Sequence, residues 1–491
     1  MPTSKGIQCY SYICAPGCQV EFSIPGHTIT KTNQKEYASD HLELDKKDLK
    51  GIFNFSGIFR FRVTQNGQEL ANKWVQINVL TGNLETGNMK AMEDQIAIVT
   101  KDIVITYTFY DAGNGEVGLP KWVQCMVSVS PNYSQWMTTV AAPGSSLASR
   151  PFVNFCLPSS HDIGMNSMQN SEVLLQNAST IFLSVLKMNF GVFSDISNDI
   201  VDKVLLGMAP NIIRGLAITQ KDSLTNILQA GTRYFEFRPA HLYDVVRAAN
   251  VMPDVLYFQH GPIPGMPYAQ FLADCVSFLI KNPGEIVVFQ IRWDGVPAQC
   301  ARPDANELAK YLNDALAPSN GSLKAGSLDD MLNSTIDSLR SQNKRLIVLE
   351  NVASYSTYDD TGNATLSGDS IIAEFTKLSP DNTRGHAFTN LQCQATATKI
   401  KNVVAYSSLT ANVSNSCLLA TKSICDNKTM PWVRDNALKS VDPAQLIVIM
   451  DDFVDGGMAD LARDLSIKRL NGYVEVLLLD VYTAHLTACF S

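Results

Sequence analysis

The sequence has no run of eighteen apolar residues, no paired Cys-x-x-Cys spacing and no apolar stretch behind its first residues. The first absence argues against a membrane-spanning helix, and the second against a structural zinc site. The third leaves Met1-Pro2-Thr3-Ser4-Lys5-Gly6 without the marks of a secretory signal. A cytoplasmic or peripheral-membrane location is expected, with non-classical secretion as the alternative. Basic excess is lacking too. Formal net charge is −8, and residues 1–150 hold 13 basic and 13 acidic side chains of the 39 and 47 in the chain, so the rest carries the whole acidic excess. That balance does not suit nucleic acid or a strongly anionic bilayer as the default partner, a local basic patch being left open, and no nucleic-acid partner is expected.

What is present fits a globular protein: 45% hydrophobic and 18% charged residues over 491 positions, long enough for two to three domains unless one is a large barrel. Eleven cysteines, among them Cys9, Cys14, Cys18, Cys393, Cys417 and Cys425, are expected as free buried thiols. Asn-x-Ser/Thr triplets at Asn54, Asn132, Asn177, Asn320, Asn333, Asn363, Asn412 and Asn427 matter only if the protein is secreted.

Two textures divide the chain. Up to about residue 140, alternating segments such as Val20–Ile24 and Gly57–Val63, and the β-branched, aromatic run Asp102–Tyr110 before an Asp111–Gly115 turn, predict an antiparallel β-sandwich. Ala141–Ser146 reads as a linker. Beyond it, short apolar segments alternate with helical patterns. Strands are expected at Phe152–Leu157, Tyr234–Phe237, Val255–Phe258, Ile286–Ile291, Leu346–Leu349, Val403–Tyr406 and Leu446–Met450. Phe271, Leu272, Cys275, Val276, Phe278 and Leu279 mark a helix that Asn282-Pro283-Gly284 stops. The expected fold is α/β: a sandwich over 1–142 as a candidate binding domain, then a (β/α) TIM-type barrel over 143–491 with its chemistry at the carboxyl ends of the strands.

Three segments carry the chemistry: Leu157–Asp162 with His161, Phe235–Arg238 with Glu236 and Arg238, and Gln259-His260-Gly261. Two imidazoles can divide proton traffic near neutral pH, and an arginine fork can hold phosphoryl oxygens. Along a strand, Glu236 and Arg238 share one face while Phe235 and Phe237 face the other, toward packing helices. The bland alternatives are a structural Glu236–Arg238 ion pair and a helix-capping Asp162. His27, His41, His241, His386 and His485 read as surface or structural residues.

These segments resemble the phosphatidylinositol-specific phospholipase C X-domain superfamily of PLC-like phosphodiesterases. The likeness runs through Ile218-Thr219-Gln220, Asp222-Ser223-Leu224, Leu228–Pro239, Gln259-His260-Gly261-Pro262 and Asn282-Pro283-Gly284-Glu285, and covers residues 150 to about 465. It implies His161 as general base, His260 as general acid, Glu236 as the acid's partner and Arg238 as the charge stabiliser of a metal-free branch. Asp452 is implied as the carboxylate orienting the base, with Asp451 and the weaker Asp480 as alternatives. Arg238 and Arg292 stand where a calcium-requiring branch has carboxylates, so no metal and no cofactor is expected. Arg292, Asp162 and Asn351 are assigned to substrate binding. The inositol-reading positions fall on Asn351, Cys393 and Ala395, which lack the family's donors and acceptors there.

The resulting expectation is a metal-independent phosphodiesterase acting on a phospholipid or related phosphodiester through a cyclic product, with peripheral membrane contact. The rival from another class is a catalytically inactive barrel scaffold bearing a sandwich that binds glycan, lipid or protein. A magnesium-dependent barrel acting on phospholipids ranks last, because it wants a carboxylate at Arg238.

Overall fold

The computed structural model describes residues 4–111, 122–190, 199–396 and 416–472. Among the described residues, ten strands build the first part: β1 (Ser4–Ile13), β2 (Cys18–Ile24), β3 (His27–Thr32), β4 (Ala38–Asp45), β5 (Ser56–Gln65), β6 (Gln68–Asn78), β7 (Leu84–Gly87), β8 (Ile98–Val99), β9 (Ile103–Tyr110) and β10 (Val123–Pro131). They form two five-stranded sheets, ordered β4-β1-β10-β9-β8 and β3-β2-β5-β6-β7, antiparallel except for the parallel pair of β1 and β10. Between them lies a core in which Phe59 stacks near Phe109 and Phe61 meets Tyr107.

The alternation of β2 buries Val20, Phe22 and Ile24 and leaves the residues between them half-buried. In β9 every residue is buried, which fits its β-branched and aromatic make-up. Ile105, Tyr107 and Phe109 face the sandwich core, while Tyr110, with Tyr10, Tyr12 and Met126 of neighbouring strands, joins the core of the second part. One sheet is therefore a wall shared by two cores.

The second part is built on an eight-stranded parallel sheet. Its strands are β11 (Cys156–Ser160), β12 (Tyr234–Phe237), β16 (Val287–Ile291), β17 (Lys324–Gly326), β18 (Lys344–Glu350), β19 (Tyr355–Ser356), β20 (Phe388–Gln392) and β21 (Leu446–Asp451), ordered β17-β18-β16-β12-β11-β21-β20-β19. Among the described residues its two edges do not pair, so the sheet is a curled, half-barrel α/β sheet and the closure of the expected barrel is not shown. The expected strand Val403–Tyr406 lies outside the described residues.

A correction concerns the strand expected at Val255–Phe258. The residues Tyr257–His260 (β14) pair antiparallel with β13 (Pro239–Ala240) and β15 (Ile263–Pro267) in a separate small sheet. Only Gly261 and Pro262 join β14 to β15, and so short a turn enforces antiparallel pairing. Strand β12 consequently pairs directly with β16. The strand expected from Phe152 begins instead at Cys156, because residues 152–154 form a 3₁₀ turn that places Phe152 and Phe155 edge to face beside Trp136.

Segment 141–150 is a run of turns, and the buried Ala141 accepts a hydrogen bond from Arg340 (2.5 Å). At the foot of the sheet Arg233 pairs with Glu285 at 2.8 Å, both wholly buried, and also donates to the carbonyl oxygens of Tyr133 and Ser134. Helix Gly456–Leu470 leans on the sandwich so closely that a Cβ on Gly457 would lie 2.8 Å from the Tyr12 ring.

Candidate active site

His161 follows β11, and Asp452 follows β21, the neighbouring strand. Their side chains meet, His161 Nδ1 lying 2.8 Å from Asp452 Oδ1. Each is followed by a non-glycine residue in the left-handed region, Asp162 at φ 43° and Phe453 at φ 46°, a conformation costing about 1–3 kcal/mol. A clamp from the Thr219-Gln220 segment holds both turns. Gln220 Nε2 donates to the carbonyl oxygens of His161 and Asp451, and its Oε1 accepts from the Val454 N–H. Thr219 Oγ1 donates to the carbonyl oxygens of His161 and Asp162, and its own carbonyl accepts from Phe453 N–H at 2.7 Å.

With Nδ1 so anchored, His161 Nε2 faces inward, 3.7 Å from Asp162 Oδ2 and 3.8 Å from Glu236 Oε1. Phe235 and Phe237 of β12 turn the other way and pack on Phe271 of helix Tyr268–Lys281, which leaves Glu236 on the site face. Arg238 Nη2 lies 2.9 Å from Asp162 and 3.2 Å from Glu236. Arg292, just beyond β16, binds Glu236 Oε2 at 2.6 Å and grips Asp294 with two nitrogens at 2.8 and 2.9 Å.

His260 enters from the small sheet. Its Nε2 lies 3.8 Å from the same Asp162 Oδ2 that His161 approaches, so both rings border one space. The hairpin that carries it touches the His161 turn backbone to backbone. Met266 N–H donates to the Gly164 carbonyl, a Cβ on Gly265 would fall 2.2 Å from that oxygen, and a Cβ on Gly164 would fall 2.2 Å from Phe258 Cβ.

The two rings sit in opposite electrostatic surroundings. For His161 burial opposes the charge, but Asp162, Asp452 and Glu236 outweigh it and raise the pKa to about 9. For His260 burial and the positive charges of Arg238 and His161 lower it to about 3. Near neutral pH the proton of the pair therefore resides on His161. Burial also raises Asp452 to about 6, against the pull of His161.

Among the described residues, His161, Asp162 and Glu236 form a group whose ligand atoms lie within 4.8 Å of one another, as a metal site requires. Two guanidinium groups already sit on those carboxylates. Asn351, assigned to substrate binding, stands exposed and left-handed (φ 47°) after β18, tied by its N–H to the Ile291 carbonyl. Cys393 and Ala395 are buried and offer no surface to a headgroup. Of the bland histidines, His241 lies between Asp254 and Glu307, His41 between Glu43 and Trp122, and His386 against Tyr355; His485 lies outside the described residues, as does Asp480.

Three features escaped the sequence reading. Asp294 was legible as the same-face neighbour of Arg292, two residues on. Gln220 lies within Ile218-Thr219-Gln220, where the sequence pattern assigns it no role. The third is a buried cluster behind the dyad, where Lys422 Nζ meets Asp426 at 2.6 Å, Asp451 at 2.5 Å and Asp455 at 3.4 Å. Asp451 faces this lysine and caps the Asp452 N–H at 2.9 Å. Nothing in the spacing of residues 422, 426 and 455 announces it.

Among solved structures, matches of low identity and low TM-score are found. The chain is similar to bacterial phosphatidylinositol-specific phospholipases C. The enzyme from Listeria monocytogenes is 13% identical with a TM-score of 0.37, covering 68% of this chain and 98% of that one. A pentafluoro-phenylalanine form of the Staphylococcus aureus enzyme is 12% identical with a TM-score of 0.39, over 68% and 97%. No family model and no curated protein matches the sequence. No described helix is long and apolar enough to cross a membrane.

Proposed function

We propose that the chain is a metal-independent phosphodiesterase that cleaves a phospholipid or related phosphodiester by internal attack of a neighbouring hydroxyl, giving a cyclic phosphodiester that water then opens. The observation that carries this reading is the convergence of His161, His260 and Arg238 on Asp162 at the ends of strands from two sheets. His161, oriented by Asp452, takes the hydroxyl proton, and His260 gives one to the leaving oxygen. Arg238 stabilises the charge that builds on the phosphoryl oxygens. Glu236 holds both Arg238 and Arg292 and lies beside His161, in contrast to its expected partnership with the acid, and Arg292 supplies the site's second positive charge.

The assigned roles need the proton to reside on His260 when substrate is bound. An anionic phosphoryl group that engages Arg238 offsets one of the positive charges that hold His260 low and so favours its charged form. The exposed Asn351 and buried Cys393 and Ala395 give no support to inositol as the headgroup.

The test is a leaving-group comparison. His161→Ala and His260→Ala should each lower turnover of an alkyl phosphodiester by about 10²–10⁴-fold. With a nitrophenyl leaving group, which departs without a proton, His260→Ala should regain activity and His161→Ala should not. Rescue of His161→Ala alone would exchange the two roles. Unimpaired turnover in both variants would end the reading.

A further inference from the structure

Ile52 and Phe53 are the two most exposed large apolar side chains among the described residues, at 83% and 90%; the next, Met188, is at 64%. They occupy the tip of a turn closed by the Asn54 N–H donating to the Gly51 carbonyl, in the connection between β4 and β5. Three lysines flank them. Lys46 donates to the Gly51 carbonyl and stands over the Phe55 ring, Lys47 faces Asp45 at 3.3 Å, and Lys50 is exposed. The acidic groups nearby are Asp45 and Asp48, the latter 3.8 Å from His27, so the connection keeps a basic balance in an acidic protein.

The direction of this loop follows from the topology. Just past the carboxyl end of β10, Tyr133 accepts from Arg233, which precedes β12 at the foot of the parallel sheet. Farther back along β10, Ser128 Oγ accepts from Gly457 N–H, close to Asp452, and Gln124 reaches the Ala420 carbonyl. Strand β10 thus runs from the mouth of the site toward the foot. Parallel β1 pairs Ile7 with Val123, and Ser4 at its start pairs with Asp45, so the connection from Lys46 to Phe55 emerges at the mouth end. Trp122, exposed beside His41, lies at that end too.

We propose that this loop is a docking wedge for an anionic lipid surface, which it brings against the mouth of the site. A stable protein interface needs about 800 Å² per partner, far more than two side chains on a turn present, whereas a bilayer parts around a small apolar tip and its acidic headgroups meet the flanking lysines. The idea deepens the phosphodiesterase reading by placing its substrate in a membrane, but its binding test does not depend on catalysis.

The experiment is co-sedimentation of the full chain with phosphatidylcholine vesicles, with and without phosphatidylglycerol, for wild type and the double variant Ile52→Ser/Phe53→Ser. Wild type should partition onto phosphatidylglycerol vesicles at least about tenfold better than the variant, and better than onto phosphatidylcholine alone. Both proteins should share one melting temperature and one rate on a soluble phosphodiester. Equal sedimentation of the two proteins, or none by wild type, would overturn the proposal. So would loss of a dimer in the variant on size-exclusion chromatography, which would make the tip a protein contact.

Discussion

His161 and His260 show how far neighbours separate two chemically identical groups. Because His161 is raised from 6.5 to about 9, it contributes stability that is complete below pH 6.5 and is lost as pH rises through 9. The loss is about 3 kcal/mol at most. His260, lowered to about 3, acts the other way, its contribution being present above pH 6.5 and lost as pH falls toward 3. Urea unfolding of His161→Gln should lack the alkaline decline of wild type, and that of His260→Gln should show a shallower acid decline. Asp452→Asn should lower the pKa of His161, as ring-proton NMR would record, and reduce turnover of the alkyl phosphodiester. Glu236 and Arg238 were legible in the sequence because strand alternation fixes which residues share a face. The reversed proton preference was not, since it arises from charges brought together across hundreds of residues.

At the scale of elements, the chemistry is divided between two sheets. The parallel sheet carries His161, Glu236 and Asp452 along adjoining strands, and the small hairpin sheet carries His260. The sequence marks Val255–Phe258 as a strand of the parallel sheet, whereas Tyr257–His260 pair antiparallel, because an apolar run looks alike in both kinds of pairing. The spacing of the rings is set where the hairpin meets the His161 turn. Gly164→Ala and Gly265→Ala should therefore each lower turnover strongly while circular dichroism keeps its wild-type shape, since an added methyl must push β14 or β15 aside. At the foot, Arg233→Met leaves Glu285 buried without its countercharge and should cost about 3–5 kcal/mol in denaturant unfolding.

On the scale of the whole molecule, the sandwich strands end with β10 and the parallel sheet begins with β11. The bond between them was hidden, because a strand buried on both faces shows no period that says what covers each face. Tyr12 donates to Asp460 and Tyr37 to Asp455, both hydroxyls coming from the sandwich part, and Lys35 reaches Asp460 at 2.9 Å. A fragment 143–491 should accordingly be insoluble or lack a cooperative melt, as expression and calorimetry would show. The double-faced wall of β9 and β10 has a further consequence for heredity. A harmful change inside the sandwich is expected to be offset by a second change in the half that carries the two histidines, although the two positions share no chemistry.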